Sequence, residues 1–365
     1  MARHLAKPQR RPRSHVSLRR LVQGAFASLC LWIGVEFVIF VRCLESGGAG
    51  DPPLRPPGVE GFLPISSLMS LYHFVRSGEI HPVHPAGLFI LIAILAISIL
   101  FGKAFCSWLC PFGLLSEYLA RLGRKIFGRS IDLPRWLDYP LRGLKYLLLA
   151  FFVWAIFVAM SPAALLQFLD SPYNQVADIK MYYFFARISS LAAAVIGVLL
   201  LLSIAIRGSW CRYLCPYGGL LGLLSLLSPH KIRRDAELCV DCDACTRACP
   251  ARIEVARRLT VVSDECSTCL ACVDACPVSR ALELRLVGSR RTVSKKAVAA
   301  AAILVFVAVT GLAMITGHWQ NAITSEQYLD HVKYLETYGH PRGAAEIDAM
   351  NERTAGGQEG PRGSS

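Results

Sequence analysis

Charge is sparse in this chain. Asp, Glu, Lys and Arg make up 18% of its 365 residues, against 54% apolar residues, and mean hydropathy is +0.43. Charge this sparse argues against an ordinary water-soluble domain and predicts a membrane protein. Histidine is missing from the cores of all five apolar runs given below, which disfavours haem held between facing spans. No basic patch with interleaved aromatics occurs, so the net charge of +13 does not point to nucleic acid. No acid–base or nucleophilic constellation stands out, which argues against a self-contained substrate enzyme. Nor does a small-x-small cleavage site follow the first apolar run. Arg19-Arg20 before that run resembles a twin-arginine export signal, but its length of about 21 residues reads as a retained anchor.

What is present is a set of long apolar stretches. Five can each cross a bilayer, which takes about 20 mostly apolar residues: 21–41, 86–105, 144–166, 184–206 and 297–317. Lys and Arg alternate between the segments that flank them. Residues 1–20, 103–145 and 207–296 hold 30 of the 39, and the intervening segments hold 9. Under the positive-inside rule this puts the N-terminus and residues 229–296 in the cytoplasm of a bacterial inner-membrane protein, and the C-terminal tail outside. Twelve of the fourteen cysteines fall in or beside the cytoplasmic segments, where thiols stay reduced. Cys30 and Cys43 lie elsewhere and read as small packing residues.

The cysteines supply the sharpest signal. Cys239, Cys242, Cys245 and Cys249-Pro250 follow a C-x2-C-x2-C-x3-C-P pattern, which Cys266, Cys269, Cys272 and Cys276-Pro277 repeat. This is the bacterial ferredoxin spacing for two [4Fe–4S] clusters. Two-residue gaps let three sulfurs point into one tight loop, and the fourth ligand comes from the other motif. Cys239, Cys242, Cys245 and Cys276 are therefore expected around one cluster, and Cys266, Cys269, Cys272 and Cys249 around the second. Structural zinc is the alternative, but zinc ribbons pair two Cys-x2-Cys units across a long loop. The 16 residues between Cys249 and Cys266 suit a short helix and a return strand.

A second cysteine set forms an internal repeat. Cys106-x3-Cys110-Pro111 ends the second run and Cys211-x3-Cys215-Pro216 ends the fourth, each with aromatic-Gly after the proline. On a helix an i, i+4 pair shares one face, so four thiols can converge where the two hairpins pack. They are candidates for a soft metal such as copper, another cluster or a redox-active thiol pair. The first four spans read as two parallel hairpin repeats.

Other candidates are weaker. Glu36, inside the first run, is a candidate quinol or proton site, or a residue facing a polar bundle interior. His73, His81, His84, His318, His331 and His340 read mostly as surface residues, and Lys103, Arg207, Arg212, Lys231, Arg233 and Arg234 as topology and headgroup contacts. Residues 61–69 are apolar enough for a short interfacial or re-entrant helix, 325–338 are amphipathic, and from Gly339 on composition predicts disorder toward the end.

The fold expected is thus an α-helical integral membrane protein of about five spans, with an inserted small α+β ferredoxin domain. Its segments are a basic N-terminus (1–20), a four-helix domain (21–228), the ferredoxin domain (229–296), a fifth helix (297–317) and an external tail (318–365). Over roughly residues 20–290, the spans, the two Cys-x3-Cys-Pro motifs and the double ferredoxin segment resemble the membrane polyferredoxins of the NapH/NosR type. That resemblance implies electron passage between the quinone pool and partner redox proteins. The related CcoG (RdxA/FixG) proteins imply an alternative in copper handling for a respiratory metalloenzyme. This chain departs from them. Unlike NosR it has no flavin-bearing external domain before the first span, its fifth span and tail are extra relative to NapH, and its tail is short for the immunoglobulin-like domain of CcoG.

Overall fold

The computed structural model describes residues 18–47, 53–128, 131, 133–289, 291–341 and 343–356. All but the last three residues of the basic 1–20 stretch lie outside them. Helix dominates. Leu18–Glu45, Arg135–Ala159 and Lys295–Ile315 are each long and apolar enough to cross a membrane. Their large apolar side chains face outward, with Leu31 72% and Ile315 87% exposed, which suits lipid and not water.

The other two expected spans are modified. Pro85–Phe101 has 17 residues, about 26 Å at 1.5 Å per residue, against a hydrocarbon core of about 30 Å. The run expected over 184–206 is two helices, Ala177–Ala186 and Ser190–Ala205, bent by 83° and counting as one span only when taken together. Ser189 restarts the chain there, its Oγ accepting the Ala192 N–H at 3.2 Å. The run expected over 144–166 likewise stops at Ser161-Pro162. Proline cannot continue the helix, and Ser161 caps a new one, Pro162–Asp170. The described residues therefore give three uninterrupted membrane helices, or four with the bent pair, instead of five.

The chain forms two compact units. The first comprises residues 1–28, 93–149 and 196–307. It contains a three-stranded antiparallel sheet, order β2-β1-β3, made of β1 (His230–Arg234), β2 (Thr260–Val261) and β3 (Leu282–Leu286). Ile232 pairs with Val261 on one side and Leu284 on the other, and all three are buried. The short helices Ala244–Ala248 and Ala271–Ala275 complete this part. Arg212, expected at the headgroups, is instead buried and bonded to Asp138 at 2.9 Å, alongside Tyr213 at 2.6 Å. A buried guanidinium needs such a partner.

The second unit comprises residues 29–92, 150–195 and 308–365. Phe37, Phe40, Val41 and Leu44 pack with Ile179, Tyr328 and Tyr338. The tail is built in. Thr324 and Gln327 form a capping box that starts Ser325–Lys333. Past Gly339, helix Ala344–Gly356 buries Ile347 and Met350, and residues 357–365 lie outside the described set. Residues 61–69 enter a 3-10 turn, Pro57–Phe62, and helix Pro64–Ser77, whose Met69 packs on Leu165 and Leu169.

An ionic network lies inside this unit. Arg55 bonds Asp178 at 2.5 Å and Glu60 at 2.7 Å, and all three are buried. Burial would raise the Glu60 pKa, yet Arg55 and His84 hold it below the usual carboxylate range. His81, His84 and His331 are buried too, contrary to the surface reading. His81 meets Asp170 at 3.1 Å, His84 the Asn174 carbonyl at 2.7 Å, and His331 Gln175 at 2.9 Å. Each imidazole has found a partner that burial demands.

Candidate redox centre

Two small cavities open beside the sheet of the first unit. Cys266, Cys269, Cys272 and Cys249 line one, and Cys239, Cys242, Cys245 and Cys276 line the other. Each combines three cysteines of one motif with the last cysteine of the other. Short helices bring this about, because Ala244–Ala248 and Ala271–Ala275 each carry the third cysteine and end at the fourth.

The backbone around the second cysteine of each motif is left-handed. Asp241 and Asp243 flank Cys242 at φ 50° and 57°, and Thr268 and Leu270 flank Cys269 at 49° and 59°. Such φ values cost a non-glycine residue about 1–2 kcal/mol. They wrap the peptide around the cavity and turn N–H groups inward, as an anion-binding nest does. The backbone of Thr268 lies beside the Cys266 sulfur, that of Val273 beside Cys272 and that of Val278 beside Cys276, whose thiol donates to the Val278 carbonyl at 3.3 Å. Burial pushes the Cys266 thiol up to about 12 and raises Cys272 as well.

The residues present fit [4Fe–4S] clusters. Four sulfurs meet in each cavity, N–H donors face them, and buried Ile232, Val255 and Val261 exclude water from one wall. Among the described residues no three His, Cys, Asp or Glu side chains are gathered closely enough for a single metal ion. One zinc would draw its thiolates to about 2.3 Å from a common centre, whereas a cubane spreads its ligands over four irons.

The Cys-x3-Cys-Pro repeats lie in the same unit. Cys106 and Cys110 do not share a helix face as the spacing suggested. Cys106 sits in the short helix Ala104–Trp108, and Cys110 is the extended residue before helix Pro111–Phe127. Cys211 sits in a π-helical turn, Trp210–Leu214, and Cys215 precedes helix Pro216–Leu227. Each proline occupies the first turn of a new helix, where its missing N–H is harmless. Each following glycine lets the helix start approach the preceding turn. A Cβ on Gly113 would lie 2.1 Å from the Cys106 carbonyl oxygen, and one on Gly218 would lie 3.2 Å from that of Cys211.

The two repeats influence one another electrostatically. Cys110 lies within electrostatic reach of Cys211 and Cys215, as Cys106 does of Cys215, and Ser116 stands near the Cys211 thiol. Burial pushes Cys106, Cys110 and Cys211 up to about 12, unlike the lowered pKa of a reactive thiol. Lys103, 5% exposed and so no headgroup contact, faces Cys106, Cys211 and Cys215.

A strap joins this set to one cavity. Between Cys106 and Cys110, Ser107 Oγ donates to the Ser267 carbonyl at 2.6 Å and Trp108 Nε1 to that of Thr268 at 3.1 Å. Ser267 and Thr268 lie between Cys266 and Cys269. The preceding Glu265 pairs with buried Lys145, and Asp264 bonds Tyr146. The Asp264 carboxyl is held below its ordinary range: burial alone would raise it, but Tyr146, Lys145 and Lys103 outweigh that.

Sequence reading missed Lys145, Trp108, Ser107, Asp264 and Glu265. Its one available signal was the glycine shared by both repeats. Glu36 stands exposed on its helix and accepts the Trp32 Nε1–H at 2.8 Å, so it faces no polar interior.

Comparison with known proteins agrees with this chemistry. Residues 83–130 and 188–235 each match the family described as a 4Fe–4S binding domain, and residues 231–277 match a 4Fe–4S dicluster domain. YccM of Escherichia coli K12, to which a role in electron transport is ascribed by name, is 42% identical over 90% of this chain and 93% of its own. The regulatory protein NosR of Pseudomonas aeruginosa is 30% identical over 52% of this chain, which covers 26% of NosR. The methylamine utilization ferredoxin-type protein MauN of Methylorubrum extorquens is 30% identical over 52% of this chain and 61% of its own. No solved structure matches. With its apolar helices and its paired iron–sulfur domains, the chain belongs to the membrane ferredoxin-type electron-transport proteins that include YccM, NosR and MauN.

Proposed function

We propose that this protein relays electrons between the quinone pool, or a cytoplasmic donor, and partner redox proteins. The supporting observation is the pair of cavities, each lined by three cysteines of one motif and the fourth of the other. Cys239, Cys242, Cys245 and Cys276 would hold one [4Fe–4S] cluster, and Cys266, Cys269, Cys272 and Cys249 the second. Such clusters, when bound, supply one-electron couples. The chain itself provides the thiolates, the inward N–H donors and an apolar wall against water. Basic residues stand close by, with Lys231 within electrostatic reach of Cys266 and Arg207 within reach of Cys249 and Cys269. They favour the additional negative charge of a reduced centre.

The distribution of Lys and Arg supports an inner-membrane setting with the N-terminus and residues 229–296 cytoplasmic and the tail from 318 outside. It also supports reading 21–228 and 297–317 as the membrane part. Glu36, exposed on a membrane helix, is the candidate proton acceptor for a lipid-borne quinol. No observation favours the copper alternative.

The test is anaerobic purification from membranes, followed by iron and sulfide analysis and EPR during titration with a quinol. The ferredoxin segment is expected to contribute about eight irons, lost on combined Cys245→Ser and Cys272→Ser substitution. Quinol or a cytoplasmic reductant is expected to elicit the reduced-cluster signal. A colourless protein with zinc as its metal would refute the reading.

A further inference from the structure

The two cavities of the first unit are built alike, but charge divides them. Among the described residues, no charged side chain lines the cavity of Cys249, Cys266, Cys269 and Cys272. Arg234 and Asp243 line the other. Both differences fall at matched places. Strand His230–Arg234 carries Ile232 and Arg234 two positions apart, and side chains two apart in a strand share a face. Ile232 lines one cavity and Arg234 the other. Leu270 and Asp243 each follow the second cysteine of a motif, with left-handed φ of 59° and 57°, and they too line one cavity each.

Burial decides which charge dominates. Asp243 is exposed, so water and salt screen its carboxylate. The Arg234 side chain is only 15% exposed, and a charge so covered is screened much less. Asp241 stands 3.6 Å from Arg234 Nη1, but it is 70% exposed and offsets the guanidinium only in part. Arg234 Nε is buried and has no hydrogen-bond partner among the described residues. A donor left in that state is costly. The neighbouring cavity, with its four sulfurs, is where acceptors and negative charge gather once a cluster is bound.

We propose that Arg234 sets the reduction potential of the centre held by Cys239, Cys242, Cys245 and Cys276, raising it by favouring the more negative, reduced state. Iron–sulfur potentials follow net charge, hydrogen bonds to sulfur and exposure, and Arg234 supplies the first of these at the cavity wall. Lys231 and Arg207 lie within electrostatic reach of cysteines of the other site, but neither lines its cavity. Ile232 gives that site no equivalent lever. Arg234 thereby biases a shared electron toward the centre beside Cys242, the exposed cysteine. The only change is one electron gained from the relay's donor; no bond forms or breaks. The inference rests on the two-cluster reading given above and names the residue that makes its centres unequal.

EPR-monitored potentiometric titration decides it, on the full-length protein purified without oxygen and reduced by dithionite through mediators. The signal altered by Cys242→Ser marks the centre concerned, and the one altered by Cys269→Ser marks the other. Arg234→Gln is expected to lower the midpoint of the first and leave the second in place. Arg234→Lys keeps the charge and is expected to retain most of the potential. Asp241→Asn removes the offsetting carboxylate and is expected to raise the same midpoint, which gives a reading even if Arg234→Gln fails to load iron. Arg233→Gln removes a charge from the opposite face of the strand and is expected to shift neither signal. Unchanged midpoints in Arg234→Gln and Asp241→Asn would overturn the inference. So would a fall in Arg234→Lys or Arg233→Gln as large as that in Arg234→Gln. Dithionite bypasses quinol, so clusters that shift as expected yet stay oxidised with quinol or a cytoplasmic reductant would uphold the role of Arg234 and sink the relay. A protein without iron would remove both.

Discussion

Gly113 and Gly218 hold equivalent places in the two repeats, yet their surroundings differ by about a carbon radius. A methyl group at Gly113 meets a backbone oxygen at 2.1 Å, which cannot swing aside. The same group at Gly218 meets one at 3.2 Å, where a few tenths of an ångström suffice. Gly113→Ala is therefore expected to destabilise by about 1–3 kcal/mol, as overpacking does, and Gly218→Ala by clearly less. Thermal unfolding of both variants in detergent checks the order. Equal effects would mean that the first turn yields as readily as the second. The buried histidines show why residue-scale reading of sequence falls short. His84 and Asn174 are 90 positions apart, and His331 and Gln175 are 156 apart. Nothing near a histidine in the sequence announces a partner at that distance, so an exposed role was the natural expectation.

Among the elements, the cysteine loops were the most legible. Three cysteines of each cavity follow from local spacing, and the fourth from the ferredoxin pattern of exchange between the two motifs. The Cys-x3-Cys-Pro segments were legible as a repeat but not as a shape. Four-residue spacing suggests a helix face, whereas the proline opens a new helix and leaves Cys110 and Cys215 extended. The strap was not legible at all, since Trp108 and Thr268 are 160 residues apart. Its contribution can be measured. Trp108→Phe keeps most of the buried ring but leaves the Thr268 carbonyl without its donor, at an expected cost of about 1–3 kcal/mol. Hydrogen exchange is expected to rise locally at residues 266–270. Unchanged exchange there would mean that Ser107 and the Lys145–Glu265 pair hold the loop without the indole.

For the molecule as a whole, apolar composition foretold a membrane protein but overcounted uninterrupted spans. Hydropathy averages over a window, so it passes across the bend at residues 187–189 and does not register that helix Pro85–Phe101 stops at 17 residues. Acid sensitivity is another whole-chain property, and the second unit carries much of it. Burial lowers the pKa of His331, against the opposing pull of Asp330. It lowers that of His81 likewise, with His73 and His84 adding to the effect and Asp170 opposing it. A histidine whose folded pKa is depressed binds protons more readily when unfolded. The stability it confers is complete above the unfolded value of about 6.5 and is lost as pH falls toward the folded value. Unfolding temperature in detergent is expected to drop between pH 7.5 and 5.5, with a shallower slope in His331→Gln. An identical slope in that variant would assign the effect to other groups.

Of the fourteen cysteines, Cys242 alone is exposed. Dissolved oxygen meets the chain first at that sulfur, while Cys245, Cys249, Cys269 and Cys272 are covered. Corrosion therefore has a direction, beginning at the rim of one cavity while the strapped loop stays sheltered. Brief aeration would leave a half-spent protein, with the cavity that holds Cys242 spoiled first and the strapped one last.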